Sequence, residues 1–371
     1  MKILYDHQTF TGTQYGGISR YFYELMNVFE GQEEIAFELS LTFSNNEYLK
    51  NAAFSSHIGY GRFAHNKRVN QAVSMINRLC SLSKLSSGQF DVFHPTYYHS
   101  YFLEKLEKKP LALTFHDVLS EKYGDIYPVL GKGLTELKQR LLHRADVVIA
   151  VSEATKRGIL EYFQVDESKI KVIPLGSYLV EPTTTSHPPL ILPEQYILFV
   201  GNRSFYKNFD LFFEAITPIL LKDKDLHLVC AGGGDFSYQE IAAIGRAGLQ
   251  KHVIYQEIHD DSTVGQLYAK ARVFVFPSLM EGFGLPILEA MSSGCPVVAT
   301  AGTSFDEIAN DAAIYFDAEK SDSIQTSVTR VVYDEDLRSK MQSRGYERVP
   351  LFRAENTAKQ TVEVYKELSK A

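Results

Sequence analysis

Short apolar runs rich in β-branched residues alternate with amphipathic stretches along most of the chain. This alternation is typical of βαβ units built around parallel sheets, so it predicts an α/β fold. In the first half, the predicted strands are Lys2–Tyr5, Asp91–Phe93, Leu111–Phe115, Asp146–Val151 and Lys171–Ile173. The predicted helices between them include Ile18–Phe29, Leu130–Arg144 and Glu153–Phe163.

The alternation is interrupted once and then resumes. Residues 181–193 begin with a proline- and threonine-rich segment without periodicity, which is typical of a linker. Beyond it lie predicted strands at Tyr196–Gly201, Leu226–Ala231, Val253–Gln256, Val273–Pro277 and Pro296–Thr300, with a helix from about Asn208. The pattern therefore predicts an N-terminal domain over 1–180 and a C-terminal domain over 194–354, followed by a helix at Glu355–Leu368.

Composition agrees with this organisation and excludes some functions. The 371 residues exceed what one hydrophobic core usually accommodates, and 45% hydrophobic with 22% charged residues is ordinary for a globular protein. A net charge of −7 argues against a nucleic-acid partner. The three cysteines are scattered without metal-ligand spacing. The first residues lack a signal-peptide pattern and no long apolar span follows, so we expect a cytoplasmic protein.

A strand, a glycine-containing turn and a helix start follow one another in the segment 276–290. The apolar strand ends at Pro277, Glu281 lies in the turn, and Pro286 opens a helix that stops at Gly294. The free N–H groups at such a helix start form an anion site, and Glu289 lies about one turn further along. A surface loop with an ordinary helical glutamate is the alternative, but the strand-end position, turn and proline together favour a binding site.

A second candidate loop follows the strand that ends at Gly201. Arg203 and Lys207 lie on this loop, at the carboxyl edge where open α/β sheets bind ligands. The two cations are suited to a diphosphate, the arginine through its planar fork and the lysine as a point charge. Solubilising loop charges are the alternative interpretation.

At these loops the sequence resembles glycosyltransferase family 4, the retaining GT-B enzymes. Glu281 and Glu289 match its two glutamates, and Gly201 with Lys207 resembles its glycine-to-lysine phosphate loop. The segments 301–308 and 311–316 are similar to its closing segment. The resemblance implies two facing Rossmann-like domains with parallel sheets and a cleft between them, with the final helix, about 355–371, packing back on the N-terminal domain. Arg203 departs from the pattern, because many members carry this arginine beside the glycine or the lysine.

The resemblance also implies roles for these residues. Glu289 would bind the ribose hydroxyls and Glu281 the hydroxyls of the transferred sugar. Lys207, Arg203 and the helix start would stabilise the departing diphosphate without a metal. The remaining donor-binding positions on these two loops would be Gly201, Gly282, Phe283, Gly284 and Leu285.

Two features of the N-terminal half resemble further parts of the family's donor site. Gly16 and Gly17 precede a predicted helix and resemble its first glycine loop, although a simple helix-entry turn is an equal alternative. His116 ends a predicted strand, and the resemblance favours a contact with the donor sugar. A lone histidine is more often structural.

Three other motifs, two D-x-D segments and a run of three glycines, are weaker indications of a functional site. Asp223-Lys224-Asp225 and Asp334-Glu335-Asp336 satisfy the D-x-D pattern of metal-dependent transferases, but neither lies at a strand's carboxyl end. We interpret them as turn and helix-cap carboxylates. Gly232-Gly233-Gly234 follows a strand and is either a nucleotide contact or a flexible turn.

A basic amphipathic segment raises the question of membrane contact. From Tyr48 to Phe90 there is no acidic residue, whereas six basic residues occur: Lys50, Arg62, Lys67, Arg68, Arg78 and Lys84. Apolar residues at helical spacing accompany them: Val69, Ala72, Val73, Ile76 and Leu79. Such a helix can lie on the inner face of an anionic membrane. A core-facing helix with a solvated basic face is the alternative.

The resemblance therefore implies a retaining transferase that moves a hexose, with mannose as a guess, from a GDP- or UDP-linked donor. The acceptor would be a glycan or a lipid-linked glycan in surface polysaccharide synthesis, and no further cofactor is expected. Two alternatives remain: a nucleotide-sugar epimerase on the same fold, and a non-catalytic GT-B partner subunit.

Overall fold

A computed structural model describes residues 1–61, 67–127, 131, 133–176, 190–203, 205–258 and 260–370. The chain forms two compact units. The first comprises Met1–Tyr178 together with Phe352–Ala371, and the second comprises Leu179–Leu351. Residues 181–189 of the predicted linker lie outside the described residues.

The first unit contains a parallel sheet. Its strands are β1 Lys2–Tyr5, β2 Ala36–Leu39, β3 Phe43–Ser44, β4 Gly59–Tyr60, β5 Val92–His94, β6 Ala112–Phe115, β7 Val147–Ala150 and β8 Ile170–Val172. The order β2-β1-β5 continues into β6-β7-β8 through a parallel bridge between Phe93 and Leu111, while β3 and β4 pair separately. The central strands are buried on both faces, which explains their continuous apolar sequence.

Helices accompany these strands: α1 Gly17–Phe29, α2 Lys67–Ser87, α3 Leu103–Leu106, α4 Leu119–Tyr123, α5 Leu134–Arg144 and α6 Glu153–Tyr162. In α1 the buried positions Phe22, Met26 and Phe29 recur at helical spacing and form its core-facing stripe. Helix α6 begins where the Ser152 hydroxyl accepts the Thr155 N–H at 2.9 Å, an ordinary N-cap.

The second unit contains a six-stranded parallel sheet within its described residues. Its strands are β9 Gln195–Val200, β10 Leu226–Ala231, β11 Val253–Gln256, β12 Val273–Phe276, β13 Val297–Thr300 and β14 Ala313–Phe316. The order is β11-β10-β9-β12-β13-β14, which is the doubly wound order of dinucleotide-binding folds. Its helices are α7 Phe209–Lys222, α8 Tyr238–Arg246, α9 Asp261–Lys270, α10 Leu285–Ser292, α11 Ser304–Ala309, α12 Ser321–Tyr333 and α13 Glu335–Arg348.

The last helix, α14 Ala354–Leu368, belongs to the first unit. Tyr365 is fully buried there, and its hydroxyl lies 2.8 Å from that of Tyr5 and 2.6 Å from Nδ1 of His94. Nε2 of His94 lies 2.9 Å from the Thr114 hydroxyl. Because buried polar groups need partners, this chain of hydrogen bonds fixes α14 on the sheet more specifically than apolar packing alone.

Candidate active site

The strand order of the second unit places two loops side by side. Strand β9 has β10 on one side and β12 on the other, so the chain reverses its direction of winding between β9 and β12. Open α/β sheets bind ligands outside the carboxyl ends of the strands at such a switch point. The loops that leave β9 and β12 there are residues 201–208 and 277–284.

The β12 loop leads into α10 through a turn that only glycine adopts readily. Gly284 has a φ of +136°, and a Cβ atom on it would lie 3.1 Å from the Phe305 ring. Helix α10 then begins at Leu285 with Pro286 in its first turn, as the sequence predicted. Backbone N–H groups at a helix start point outwards and carry partial positive charge, so those of Gly284 and Leu285 are of the kind that suits an anion.

The two loops meet through an ion pair. Lys207 lies in a short 3₁₀ turn, Phe205–Lys207, and its Nζ is 2.5 Å from Oε1 of Glu281. The backbones are also joined, because the Leu279 N–H donates to the carbonyl of Tyr206 at 2.7 Å. Only 12% of the Lys207 side chain and 17% of the Glu281 side chain are exposed. The structure therefore brings together the two side chains for which the family resemblance implies contacts with the diphosphate and the sugar.

The surroundings of Lys207 keep it charged. Burial is the largest influence and lowers its pKa, but the negative charge of Glu281 and hydrogen bonds to Glu281 and Tyr206 outweigh it, so the pKa is raised above the usual 10.5. The Nζ atom also lies 5.2 Å from the ring centroids of Tyr206 and Phe276, where π faces favour a cation. Lys207 is thus a fixed, desolvated positive charge at the switch point.

The loop that carries Glu281 is also held by the segment that follows β13. The Ser304 hydroxyl, at the start of α11, is 3.0 Å from the carbonyl of Glu281 and 2.5 Å from that of Phe283. The Phe276 and Phe305 rings stack at 4.7 Å beneath the same loop. Glu289 is half-buried on α10, and Gly282 and Phe283 are buried between the two glutamates. Ser304 is a residue that sequence reasoning left inside the closing segment without a role.

Arg203 lies at the same edge of the sheet but points elsewhere. Its Nε donates to Oε1 of Glu240 at 2.6 Å, and its other hydrogen bonds go to the carbonyls of Gly232, Gly234 and Asp235. Its side chain is 4% exposed. The diphosphate contact of Arg203 stays a prediction, and in this arrangement its guanidinium donors bond the loop that follows β10.

Comparison with known proteins identifies the family of the chain. The model of the family "Glycosyl transferases group 1" matches residues 185–348, and that of "Glycosyltransferase Family 4" matches residues 15–177. O-antigen chain mannosyltransferase B of Escherichia coli is 28% identical over 292 residues, which cover 74% of each protein. The chain is a GT-B glycosyltransferase of the family 4 type.

Solved structures show the same fold for this glycosyltransferase. HepE of Anabaena, crystallised with UDP and glucose, has a TM-score of 0.70 at 18% identity, covering 99% of this chain and 100% of its own. Sucrose-phosphate synthase of Thermosynechococcus elongatus has a TM-score of 0.78 at 19% identity, with 99% of each chain covered. The predicted GT-B fold is therefore confirmed.

The remaining predicted site residues of the glycosyltransferase lie in its first unit. Gly16 is the N-cap of α1, and Gly17 is its first residue. The φ of Gly16 is −177°, which any residue adopts, so the conformation itself does not require glycine there. His116 follows β6 and is 8% exposed, and its N–H donates to the Tyr98 hydroxyl at 2.7 Å. Their contacts with a donor stay predictions.

A buried lysine holds the loop that carries His116. Lys138 is 0% exposed, and its Nζ donates at 2.9 Å to the carbonyl of Asp117, the Ser120 hydroxyl and the Glu121 carboxylate. Burial lowers the pKa of His116 to about 4, with Asp117 opposing and Lys138 reinforcing this change, so its imidazole is neutral at pH 7. The sequence signal for Lys138 was weak, because a lysine at one helical position is usually solvated.

The D-x-D segments have the structural roles that the sequence predicted. Asp223 is the C-cap of α7 and accepts the Asp225 N–H at 3.1 Å, while Asp334 caps α13 by accepting the Leu337 N–H at 2.9 Å. Across the described ranges, no group of three or more His, Cys, Asp or Glu side chains is placed to hold a metal ion. The three cysteines are free thiols.

The predicted apolar stripe of the basic amphipathic segment lies on α2, and most of it does not face the core. The buried positions of α2 are Val73, Asn77, Ser81 and Leu85. By contrast Val69, Ile76 and Leu79 are 40%, 43% and 55% exposed. The alternative of a core-facing helix with a solvated basic face is met in part, because α2 buries one face, but of the five apolar residues that suggested a stripe only Val73 is buried. Arg62 lies outside the described residues. In the part of the chain that the structure describes, no helix has the length and apolarity to cross a bilayer.

Proposed function

We propose that this glycosyltransferase transfers a hexose, with retention of configuration and without a metal, from a nucleoside diphosphate sugar to a glycan or lipid-linked glycan. The observation that carries the proposal is the contact between Lys207 and Glu281 at the switch point beside the start of α10. It places a positive group suited to a pyrophosphate next to a carboxylate suited to sugar hydroxyls.

The chemistry follows from where charge develops. When the bond between sugar and diphosphate breaks, negative charge grows on the departing phosphate. Lys207 and the N–H groups at Gly284 and Leu285 are already oriented and partly desolvated, so they stabilise that charge without reorganising. Each such donor is worth roughly 3 kcal/mol in other enzymes. Retention of configuration comes from the family resemblance, since no side chain of the site is assigned as a nucleophile.

The donor is proposed from similarity and chemistry together. The relative from Escherichia coli is named as a mannosyltransferase of O-antigen chains, and HepE was crystallised with UDP and glucose. We therefore propose a GDP- or UDP-linked hexose, with mannose the first to test, and a polysaccharide acceptor. Thermal-shift screening of nucleotide sugars tests this directly, because a ligand of the native state raises its melting temperature.

A lipid-linked acceptor is favoured by the surface of α2. Its exposed apolar side chains include Met75 at 66% and Leu79 at 55%, and the same helix carries the exposed basic residues Lys67 and Arg68. An apolar and basic helix face of this kind binds anionic bilayers, each cation adding on the order of 1 kcal/mol. Sedimentation with vesicles should increase with their phosphatidylserine content. Sedimentation independent of anionic lipid would remove this part of the proposal.

Two substitutions test the site assignment. Lys207→Ala and Glu289→Ala should each lower turnover at least about tenfold, the equivalent of about 1.4 kcal/mol of transition-state stabilisation. Exposed Lys224→Ala and Glu335→Ala are the matched controls and should leave turnover unchanged. Near-normal rates in both site variants would end the assignment.

The same assay separates the rival functions. An epimerase would convert the nucleotide sugar without any acceptor, whereas a transferase needs the acceptor to release nucleoside diphosphate and glycosylated product. A non-catalytic partner subunit would bind nucleotide weakly and release neither product. Product analysis with donor alone, and then with donor and acceptor, therefore distinguishes the three.

A further inference from the structure

We infer that Arg203 is a positioning residue: it holds the loop Gly232–Gly234 against the exit of β9 and does not bind the diphosphate itself. The inference deepens the proposed function, since the loop lies at the carboxyl edge of the sheet proposed to hold the nucleotide. It also reverses the role that the position of Arg203 after Gly201 suggested.

The hydrogen bonds of Arg203 all run to one neighbouring segment. Nη1 donates to the carbonyl of Gly232 at 3.1 Å, and Nη2 donates to those of Gly234 and Asp235 at 2.7 and 2.9 Å. Nε donates to the Glu240 carboxylate at 2.6 Å. One planar guanidinium thus closes a whole loop, a geometry that the single ammonium of lysine cannot reproduce.

The loop that Arg203 closes packs very tightly on the β9 exit. Gly232, Gly233 and Gly234 have φ values of +76°, +72° and +81°. A Cβ on Gly233 would lie 2.6 Å from Cα of Asn202 and 2.7 Å from the carbonyl oxygen of Gly201. Three consecutive glycines in left-handed conformations have a large freedom to lose on folding, so an external clamp is needed to keep this approach.

Glu240 and two aromatic rings complete the clamp. Glu240 forms a capping box with Ser237, whose N–H it accepts at 2.6 Å, so one carboxylate joins the start of α8 to Arg203. The guanidinium carbon lies 4.9 Å from the Phe236 ring centroid and 5.9 Å from that of Tyr255 on β11. Arg203 therefore ties together the loops or ends of β9, β10 and β11.

A direct contact with diphosphate would dismantle this arrangement. With 4% of the side chain exposed, Arg203 would have to leave a carboxylate and three carbonyls to reach a phosphate. Glu240, whose side chain is 14% exposed, would then lose its charged partner. Separating a largely buried ion pair in this way is strongly unfavourable. Lys207 and the start of α10 remain the groups oriented for the phosphate.

The binding test uses GDP and UDP as probes and four variants: Arg203→Met, Arg203→Lys, Glu240→Gln and the double variant Arg203→Met with Glu240→Gln. Calorimetry should show that Arg203→Met and Glu240→Gln each weaken the nucleotide that binds the wild type by about three- to tenfold. The double variant should be no more than about twofold weaker than the weaker single variant, because both remove one interaction. Arg203→Lys should resemble Arg203→Met.

A direct phosphate contact makes the opposite predictions. Glu240→Gln would then leave affinity unchanged or raise it, because it releases Arg203, and Arg203→Lys would retain most of the affinity. Either result overturns the inference. Ser237→Ala is the matched control, since it removes the cap of α8 but leaves the bond between Arg203 and Glu240. An equal loss of affinity in Ser237→Ala would assign the effect of Glu240→Gln to capping.

Amide hydrogen exchange on the nucleotide-free protein tests the role of Arg203 independently of whether the proposed donor binds. Exchange in the peptide covering 230–236 should rise by similar factors in Arg203→Met and Glu240→Gln, while exchange in α13 stays at the wild-type rate. If GDP and UDP fail to bind the wild type, the proposed donor is wrong, yet this readout still decides the role of Arg203. Unchanged exchange in both variants refutes the clamp.

Discussion

The contact between Lys207 and Glu281 predicts that one substitution will separate nucleotide binding from sugar transfer. In Glu281→Gln the side chain keeps its shape and its capacity to accept a hydrogen bond, but it loses its charge. We expect the protein to bind nucleoside diphosphate more tightly and to transfer sugar at least about tenfold more slowly. The two effects have opposite signs because Glu281 competes with the diphosphate for Lys207 while it serves the sugar.

The size of the binding effect follows from distance and dielectric. Two acceptors on one ammonium lie about 5 Å apart, and like charges at that separation repel by about 0.8 kcal/mol at the dielectric constant of water. The pair is only 12% and 17% exposed, so the effective dielectric constant is lower and the repulsion larger. Removing the carboxylate should therefore tighten binding at least about threefold, since 1.4 kcal/mol corresponds to a factor of ten.

The pH dependence of nucleotide binding gives a second, independent test of the competition between Glu281 and the diphosphate. In the wild type Glu281 keeps the pKa of Lys207 above 10.5 despite burial, so its charge persists throughout the neutral range. In Glu281→Gln burial is no longer opposed by that carboxylate, and the pKa of Lys207 falls. Binding of nucleoside diphosphate should then weaken with rising pH at a lower pH than in the wild type.

Titration calorimetry with GDP or UDP at pH 7 and pH 9 measures the nucleotide affinity and its pH dependence, and a transfer assay measures turnover. The exposed Glu335→Gln controls for the loss of one negative charge in the same unit and should change none of them. Glu289→Gln should weaken binding, because its proposed role is with the ribose. Weaker binding in Glu281→Gln at pH 7 would refute the competition and assign Glu281 to orienting Lys207.

Three further predictions concern stability. Lys138→Met leaves the buried carboxylate of Glu121 unpaired, so it should cost about 3–5 kcal/mol of unfolding free energy, and adding Glu121→Gln should restore part of the loss in urea denaturation. Gly284→Ala forces a side chain into a φ of +136° and should cost about 1–3 kcal/mol, with a matching fall in melting temperature. Burial lowers the pKa of His94 to about 3 and that of His116 to about 4, so the unfolded chain binds more protons below pH 6.5. Stability should therefore fall by roughly 1.4 kcal/mol per histidine and pH unit from about pH 6.5 towards pH 4, and His94→Gln should reduce that slope.

The fold was largely readable from the sequence because buried parallel strands are continuous apolar runs. Four strands were not predicted: β2, β3, β4 and β14. Of these, β2 is an edge strand with an exposed Ala36 and the charged Glu38, so it lacks that signal. Helix α5 was predicted from Leu130 but begins at Leu134, after Gly133 with a φ of +87°. In α2 the apolar residues predicted which face of the helix would be buried, but the buried face instead includes the polar Asn77. The Asn77 side chain hydrogen-bonds the backbone of Thr42 and Phe43, which compensates for its burial.

Site residues could be predicted from the sequence only where a local pattern, such as a loop at a strand end, marks them. Lys207 and Glu281 lie on loops at strand ends, which is why the sequence indicated both as ligand-binding positions, but their direct contact was not predicted. The partners of Arg203 lie about thirty residues away, and nothing in the local sequence indicates that its donors face Gly232 and Glu240. Lys138 resembles any surface lysine, because its acceptors belong to another helix and loop.

The central claim is that Lys207 and the start of α10 hold the donor's pyrophosphate. A crystal structure of the protein with bound nucleoside diphosphate tests it most directly. The account predicts phosphate oxygens within hydrogen-bonding distance, about 3 Å, of Lys207 Nζ and of the backbone N–H of Gly284 or Leu285. A pyrophosphate bound away from both groups, with the contact between Lys207 and Glu281 intact, would contradict it.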